Sequence, residues 1–196
     1  MDSLYNDFVV KLNISALDID LSRKTRSIEK HVKLKDRNNY GVIRDYLSVE
    51  NTEKILNLLP EKIKESCIGI TKSSISSLPP HIHTVEKCVI NFYHKVSGEE
   101  TVFYDGVYEV LTEDVEDSGK GYYIIDENKI KKVISYIAQD GEVYMLNTRK
   151  AHSVIDTNNI DNTRLILQVF LDMDFTKAYK ILSDNEMVNE CLFTSN

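Results

Sequence analysis

Apolar and polar positions change their spacing along this chain, and the changes mark its elements. Phe8, Val10, Leu12 and Ile14 alternate with other residues, which predicts one face of a strand. Ser22 to Leu34 is strongly charged, with Ile28, Val32 and Leu34 as sparse apolar points, and reads as a surface helix. Ser48 suits an N-cap, and Asn51 to Leu59 sets Ile55, Leu58 and Leu59 on one helical face. Pro60 either ends that turn or opens the next.

From Cys67 the pattern turns to strands. Cys67 to Thr71 is short and β-like, and Ser73 to Pro80 reads as a turn-rich lead-in ending in Pro79-Pro80. His81 to Val96 and Thr101 to Tyr104 follow as strands, the second closed by Asp105-Gly106. Glu109 to Gly121 is acidic and reads as a loop, either a solvated connection or a lid. Val133 to Ala138 and Glu142 to Leu146 flank Gln139-Asp140-Gly141, a hairpin signal. His152 to Ile155 and Arg164 to Leu171 are further strands, joined by a polar stretch, and Phe175 to Cys191 closes the chain as a helix. A strand-rich core with helices outside it fits a small barrel or sandwich.

Length and composition narrow this. The 196 residues with 42% hydrophobic content support one domain with a real core and too little for two. We expect residues 1–66 to buttress a strand core over 67–174, with the helix from 175 to 196 outside it. Net charge is -7 with no Lys/Arg block, which argues against a dedicated nucleic-acid binder while leaving a nucleotide substrate open. No stretch is apolar enough to span a bilayer, and the N-terminus carries acids where a signal peptide would carry bases. Cys67, Cys88 and Cys191 form no CxxC pair and suit reduced thiols, so a cytoplasmic location is expected.

Among five histidines, the pair His81-Ile82-His83 carries the chemistry. Strand side chains alternate faces, so residues two apart point the same way and both imidazoles can reach one cation. A third ligand must come from elsewhere, and His152 opens a later strand. Imidazole suits iron, zinc, copper and nickel alike, so the donors do not choose the metal.

The series Pro79-Pro80-His81-Ile82-His83, Ile90-Asn91-Phe92-Tyr93, Thr101 to Tyr104, Leu146 to Val154 and Arg164 to Leu167 resembles the iron(II)/2-oxoglutarate-dependent oxygenases, in particular small phage-type and aspartyl/asparaginyl hydroxylase-like members. The resemblance covers roughly His81 to Leu171. It implies a double-stranded β-helix (jelly-roll, cupin-like) core in a mainly β chain with flanking helices. It also implies iron(II) and 2-oxoglutarate as cofactors, with oxygen as co-substrate. His81 and His152 match the first and last metal ligands. Arg164 matches the arginine that pairs with the far carboxylate of 2-oxoglutarate, and Asn91 and Tyr93 resemble residues beside that co-substrate. Arg149 is a second candidate for gripping an acidic group.

The family's usual site has two histidines and a carboxylate, and here His83 stands in the carboxylate position. Either His83 ligates, or it turns away and water fills the gap, or the chain has kept only a ligand-binding role. Cupins make a rival claim through the HxH pair and Glu86, although Glu86 lies one residue closer than cupin spacing. A cupin would act as a metal-dependent dioxygenase or isomerase without 2-oxoglutarate.

Overall fold

The computed structural model describes residues 7–14, 26–32, 40–75, 77–107, 109–115, 119–124, 126–155 and 164–189. Thirteen strands among these form two antiparallel sheets. The larger holds β1 (Val9–Leu12), β2 (Arg26–Val32), β3 (Tyr40–Tyr46), β4 (Cys67–Ile75), β6 (Cys88–Lys95), β11 (Val143–Asn147) and β13 (Arg164–Leu171), in the order β1-β11-β6-β13-β4-β3-β2. The smaller holds β5 (Leu78–His81), β7 (Glu100–Gly106), β8 (Val110–Val115), β9 (Gly119–Ile124), β10 (Ile130–Ile137) and β12 (Ala151–Ile155), in the order β10-β7-β12-β5-β9-β8. Among the described residues three α-helices accompany them, α1 (Val49–Leu56), α2 (Glu61–Lys64) and α3 (Phe175–Asp184). The chain is mainly β, with a double-stranded β-helix core and a C-terminal helix.

The central strands are apolar on both faces because each face meets a different layer. Along β6, Cys88, Ile90 and Phe92 join Leu167, Val169 and Leu171 of β13 and pack under Ile55, Ile63, Phe175, Ala178 and Leu182 of the helices. The alternate residues Val89 and Tyr93 turn inward with Ile166 and Phe170, against Phe103, Ile134, Tyr136 and Val154 of the smaller sheet. By the same alternation Asn91, Arg164 and Gln168 lie on the inner face, where they are buried polar residues in an otherwise apolar layer.

Helix α1 begins as expected, with the Ser48 side chain accepting from Asn51 N at 3.3 Å and Ile55 fully buried. Pro60 opens α2 from the N-cap position with φ -58. The structure corrects several expectations. The charged stretch Ser22 to Leu34 holds a strand: β2 pairs residue for residue with β3. Ile28 and Val32 are four apart, which fits one face of a strand as well as of a helix. The acidic stretch Glu109 to Gly121 holds β8 and the start of β9, paired from Val110↔Ile124 to Val115↔Gly119. Among the described residues β2 and β8 are edge strands, where charge is the usual defence against pairing with another chain.

The lead-in Ser73 to Pro80 is also largely strand, ending β4 and forming β5. Proline has no N–H for a ladder, and β5 pairs β12 only through Leu78↔Val154 and His81↔His152. Finally, Gln139-Asp140-Gly141 does not close a hairpin, because β10 and β11 belong to different sheets. Gly141, at φ 86, donates its N–H to Tyr93 O at 2.8 Å, and Asp140 Oδ1 accepts from Val96 N at 2.8 Å. The turn is thereby tied to β6 and carries the chain across the sandwich. The closing helix stops at Asp184, and Val188 makes an isolated bridge to Leu12.

Candidate metal centre

The register of two neighbouring strands brings the first two histidines together. His81 is the last residue of β5 and His152 the second of β12, and they are direct cross-strand partners on the inner face. Their ring centroids lie 4.3 Å apart. His83 has left the strand, so the alternation argument does not position it; a loop does. Its ring lies 5.4 Å from that of His81 and 5.3 Å from that of His152. One ligand nitrogen from each of the three lies within 4.8 Å of the others, a group that could hold a metal ion.

Residues of the β11–β12 turn fix the loop. His83 N donates to Thr148 O at 2.9 Å, and the fully buried Thr148 hydroxyl donates to Glu86 O at 2.8 Å. One residue thus grips both ends of His83-Thr84-Val85-Glu86. The Arg149 guanidinium donates to the carbonyls of His83 and Thr84 at 3.2 and 2.8 Å. Arg149 therefore sits on the loop backbone at the surface.

Hydrogen bonds also fix the tautomers. His81 Nδ1 lies 2.8 Å from Pro79 O and His152 Nδ1 lies 2.9 Å from Lys150 O. A carbonyl only accepts, so each Nδ1 carries the hydrogen and each Nε2 keeps its lone pair. His83 Nδ1 faces Glu86 Oε2 at 3.4 Å. Burial, aided by His83 and by the Arg44 and Arg164 charges, pushes His81 down to about 3. Burial first, then the neighbouring His81 and His83, holds His152 well below its ordinary value. Contact with His83 is the main reason that Glu86 is held down to about 2. Two neutral imidazoles with oriented Nδ1 hydrogens and a third imidazole backed by a carboxylate suit a divalent cation that prefers nitrogen ligands.

Beside the triad lies a second group. Arg164 opens β13 and is 3% exposed, with Nη1 donating to Thr101 Oγ1 at 3.0 Å and its guanidinium 5.6 Å over the Tyr93 ring. Its buried Nε has no hydrogen-bond partner among the described residues. Tyr93 and Tyr136 hydroxyls meet at 2.8 Å, and burial pushes the Tyr136 phenol well above its ordinary value. Asn91 donates to Tyr93 Oη at 3.4 Å and accepts from Gln168 Nε2 at 3.2 Å. Arg164, Asn91 and Tyr93 thus share one polar network, from which Arg149 is absent.

Thr101, Tyr136 and Gln168 belong to that network without having been singled out in the sequence. Gln168 left a legible mark as the one polar residue between Leu165 and Leu171. Thr101 and Tyr136 left none, since only the β7–β10 register, Tyr136↔Thr101, reveals their shared face.

No protein-family model and no curated protein sequence matches the chain. Solved structures do. The X-ray structure of E. coli ycfD aligns over 98% of this chain and 58% of that one, with TM-score 0.52 and 11% identity. A crystal structure of the Escherichia coli ribosomal oxygenase YcfD aligns over 96% of this chain and 47% of that one, with TM-score 0.45 and 11% identity. The chain therefore spans about half the length of these two structures, and the likeness is one of fold. Among the described residues no helix is long and apolar enough to cross a membrane.

Proposed function

We propose that the chain is an iron(II)- and 2-oxoglutarate-dependent oxygenase that hydroxylates a substrate still to be found. His81, His152 and His83 would hold the iron, and Arg164 with Thr101 would take the far carboxylate of 2-oxoglutarate. The iron, once bound, supplies oxygen activation coupled to decarboxylation of 2-oxoglutarate to succinate. The chain's own contribution is to present neutral nitrogen donors, to anchor an anion and to keep water from the space between the sheets.

One observation carries this reading. A guanidinium only 3% exposed, its Nε without a partner among the described residues, lies within electrostatic reach of His81 and His152. A buried donor left unmade costs about 1–3 kcal/mol, and a carboxylate is the partner whose geometry suits a guanidinium best. Asn91 and Tyr93 would line that co-substrate through the hydrogen bonds they share with Gln168 and Tyr136. The fold neighbour E. coli ycfD, described as an oxygenase, points the same way.

A second reading is a cupin-type metal-dependent dioxygenase or isomerase that does without 2-oxoglutarate. It is favoured by the third member of the nitrogen cluster, which is His83 instead of a carboxylate. Anaerobic iron(II) titration separates the two. We expect a weak visible charge-transfer band that needs both iron(II) and 2-oxoglutarate and vanishes in His152→Ala. In Arg164→Met we expect iron to be retained while the 2-oxoglutarate requirement rises ten- to a hundredfold, as loss of a charged hydrogen bond worth about 1.5–3 kcal/mol implies. Iron binding without a band would select the cupin reading. No metal binding would leave a ligand-binding protein on an old enzyme fold.

A further inference from the structure

His81 and His152 hand their Nδ1 hydrogens to backbone carbonyls, whereas His83 Nδ1 faces a carboxylate, Glu86 Oε2, at 3.4 Å. Glu86 is not one of the three residues whose ligand atoms cluster, so it stands behind His83 and outside the ligand set. We infer that Glu86 is a positioning residue that supplies to the metal, through the His83 imidazole, the negative charge a carboxylate ligand would otherwise bring. The inference rests on the metal reading of the triad and does not depend on 2-oxoglutarate.

The physical case has three parts. A set of three neutral imidazoles leaves the full charge of a divalent ion uncompensated among its ligands, and an anion one residue removed offsets it. A carboxylate on the far ring nitrogen also fixes which nitrogen faces the metal and makes it more basic. Finally, the loop geometry is built to keep the pair together. Thr148 accepts from His83 N through its backbone carbonyl and donates to the Glu86 backbone carbonyl through its hydroxyl, so the backbones of the ligand and of its carboxylate partner are held by one buried residue. Arg149 holds the intervening carbonyls of His83 and Thr84. A Glu86 that merely decorated the surface would need none of this. Its side chain is about one quarter exposed, at 26%, and that of His83 only 14%.

The test is iron(II) affinity measured anaerobically by competition with a chromophoric chelator, in native protein and in Glu86→Gln, each in three backgrounds. In the native background Glu86→Gln weakens binding about 10- to 100-fold, the usual scale for a partner behind a metal ligand. The metal-free variant stays folded at the titration temperature by circular dichroism, so the loss reads affinity and not unfolding. In a His83→Ala background the link is cut, and the same substitution shifts affinity less than about twofold.

In a His83→Asp background the sign reverses. Glu86 then faces a like charge across the loop, and Glu86→Gln tightens binding. A Glu86 that only shapes the loop would act in the same direction in every background. Unchanged affinity in the native background, or the same sign throughout, overturns the inference. Loss as complete as in His152→Ala overturns it too, by making Glu86 a ligand. If native protein binds no divalent ion, the metal reading itself falls, a result distinct from all of these. Should His83→Asp fail to fold, the native and His83→Ala arms decide alone.

Discussion

Burial strips the water that would solvate a charged imidazole, and that keeps His81 and His152 neutral in the folded chain. The same fact makes the fold sensitive to acid. In the unfolded chain both titrate near the ordinary 6.5, whereas in the folded chain His81 titrates at about 3 and His152 well below 6.5. Between those values the unfolded state binds more protons, so stability falls as pH falls from 6.5, by up to about 1.4 kcal/mol per pH unit for each residue. Glu86, held at about 2 against an ordinary 4.5, loses its contribution in the same direction but only at lower pH. Urea midpoints of chelator-treated protein should therefore drop between pH 7.5 and 5, and less steeply in His81→Gln. A midpoint level across that range would mean these histidines are not buried neutral. At this scale the candidate residues were legible beforehand, His81 and His152 because few residue types bind metals and Arg164 through the oxygenase resemblance, while Thr101 and Tyr136 are too common to notice.

Elements place the residues, and here legibility divides along a physical line. Central strands and the capped helix α1 followed from apolar period and N-cap chemistry. The edge strands β2 and β8 did not, since charge is what an edge carries. Nor did the crossing between β10 and β11, whose destination is set by bonds from Asp140 and Gly141 to β6, remote in sequence. The loop holding His83 is the functional case. Periodicity paired His83 with His81, and the structure brings their rings 5.4 Å apart, but through Thr148 and Arg149 and not through strand alternation. Thr148→Val keeps the shape and removes the hydroxyl bond to Glu86 O. It should cost about 1 kcal/mol of stability and weaken iron(II) binding severalfold, with no ligand touched. Chelator competition and urea melts read the two effects separately. Unaltered metal affinity would mean that the loop holds its shape without this clamp.

Over the whole molecule the larger sheet divides two tasks between its faces. The outer face, under α1 to α3, is apolar and supplies stability. The inner face trades apolar contact for Asn91, Arg164 and Gln168, and it leaves Arg164 Nε and Gln168 Oε1 without partners among the described residues. Truncation on the outer face should therefore behave as ordinary core loss, with Ile90→Ala costing about 2–5 kcal/mol. The inner pair should behave differently. Gln168→Leu alone strands Asn91 Oδ1, and Asn91→Leu alone strands Gln168 Nε2, so each single variant should be destabilised by about 1–3 kcal/mol. The double variant strands neither, and it also removes the orphaned Gln168 oxygen. It should be at least as stable as the native protein, with a strongly favourable coupling in the cycle. Such a result would mark the polar inner face as kept for binding at the expense of stability. Additive losses would instead make Asn91 and Gln168 ordinary structural members of the sheet, each held by contacts of its own.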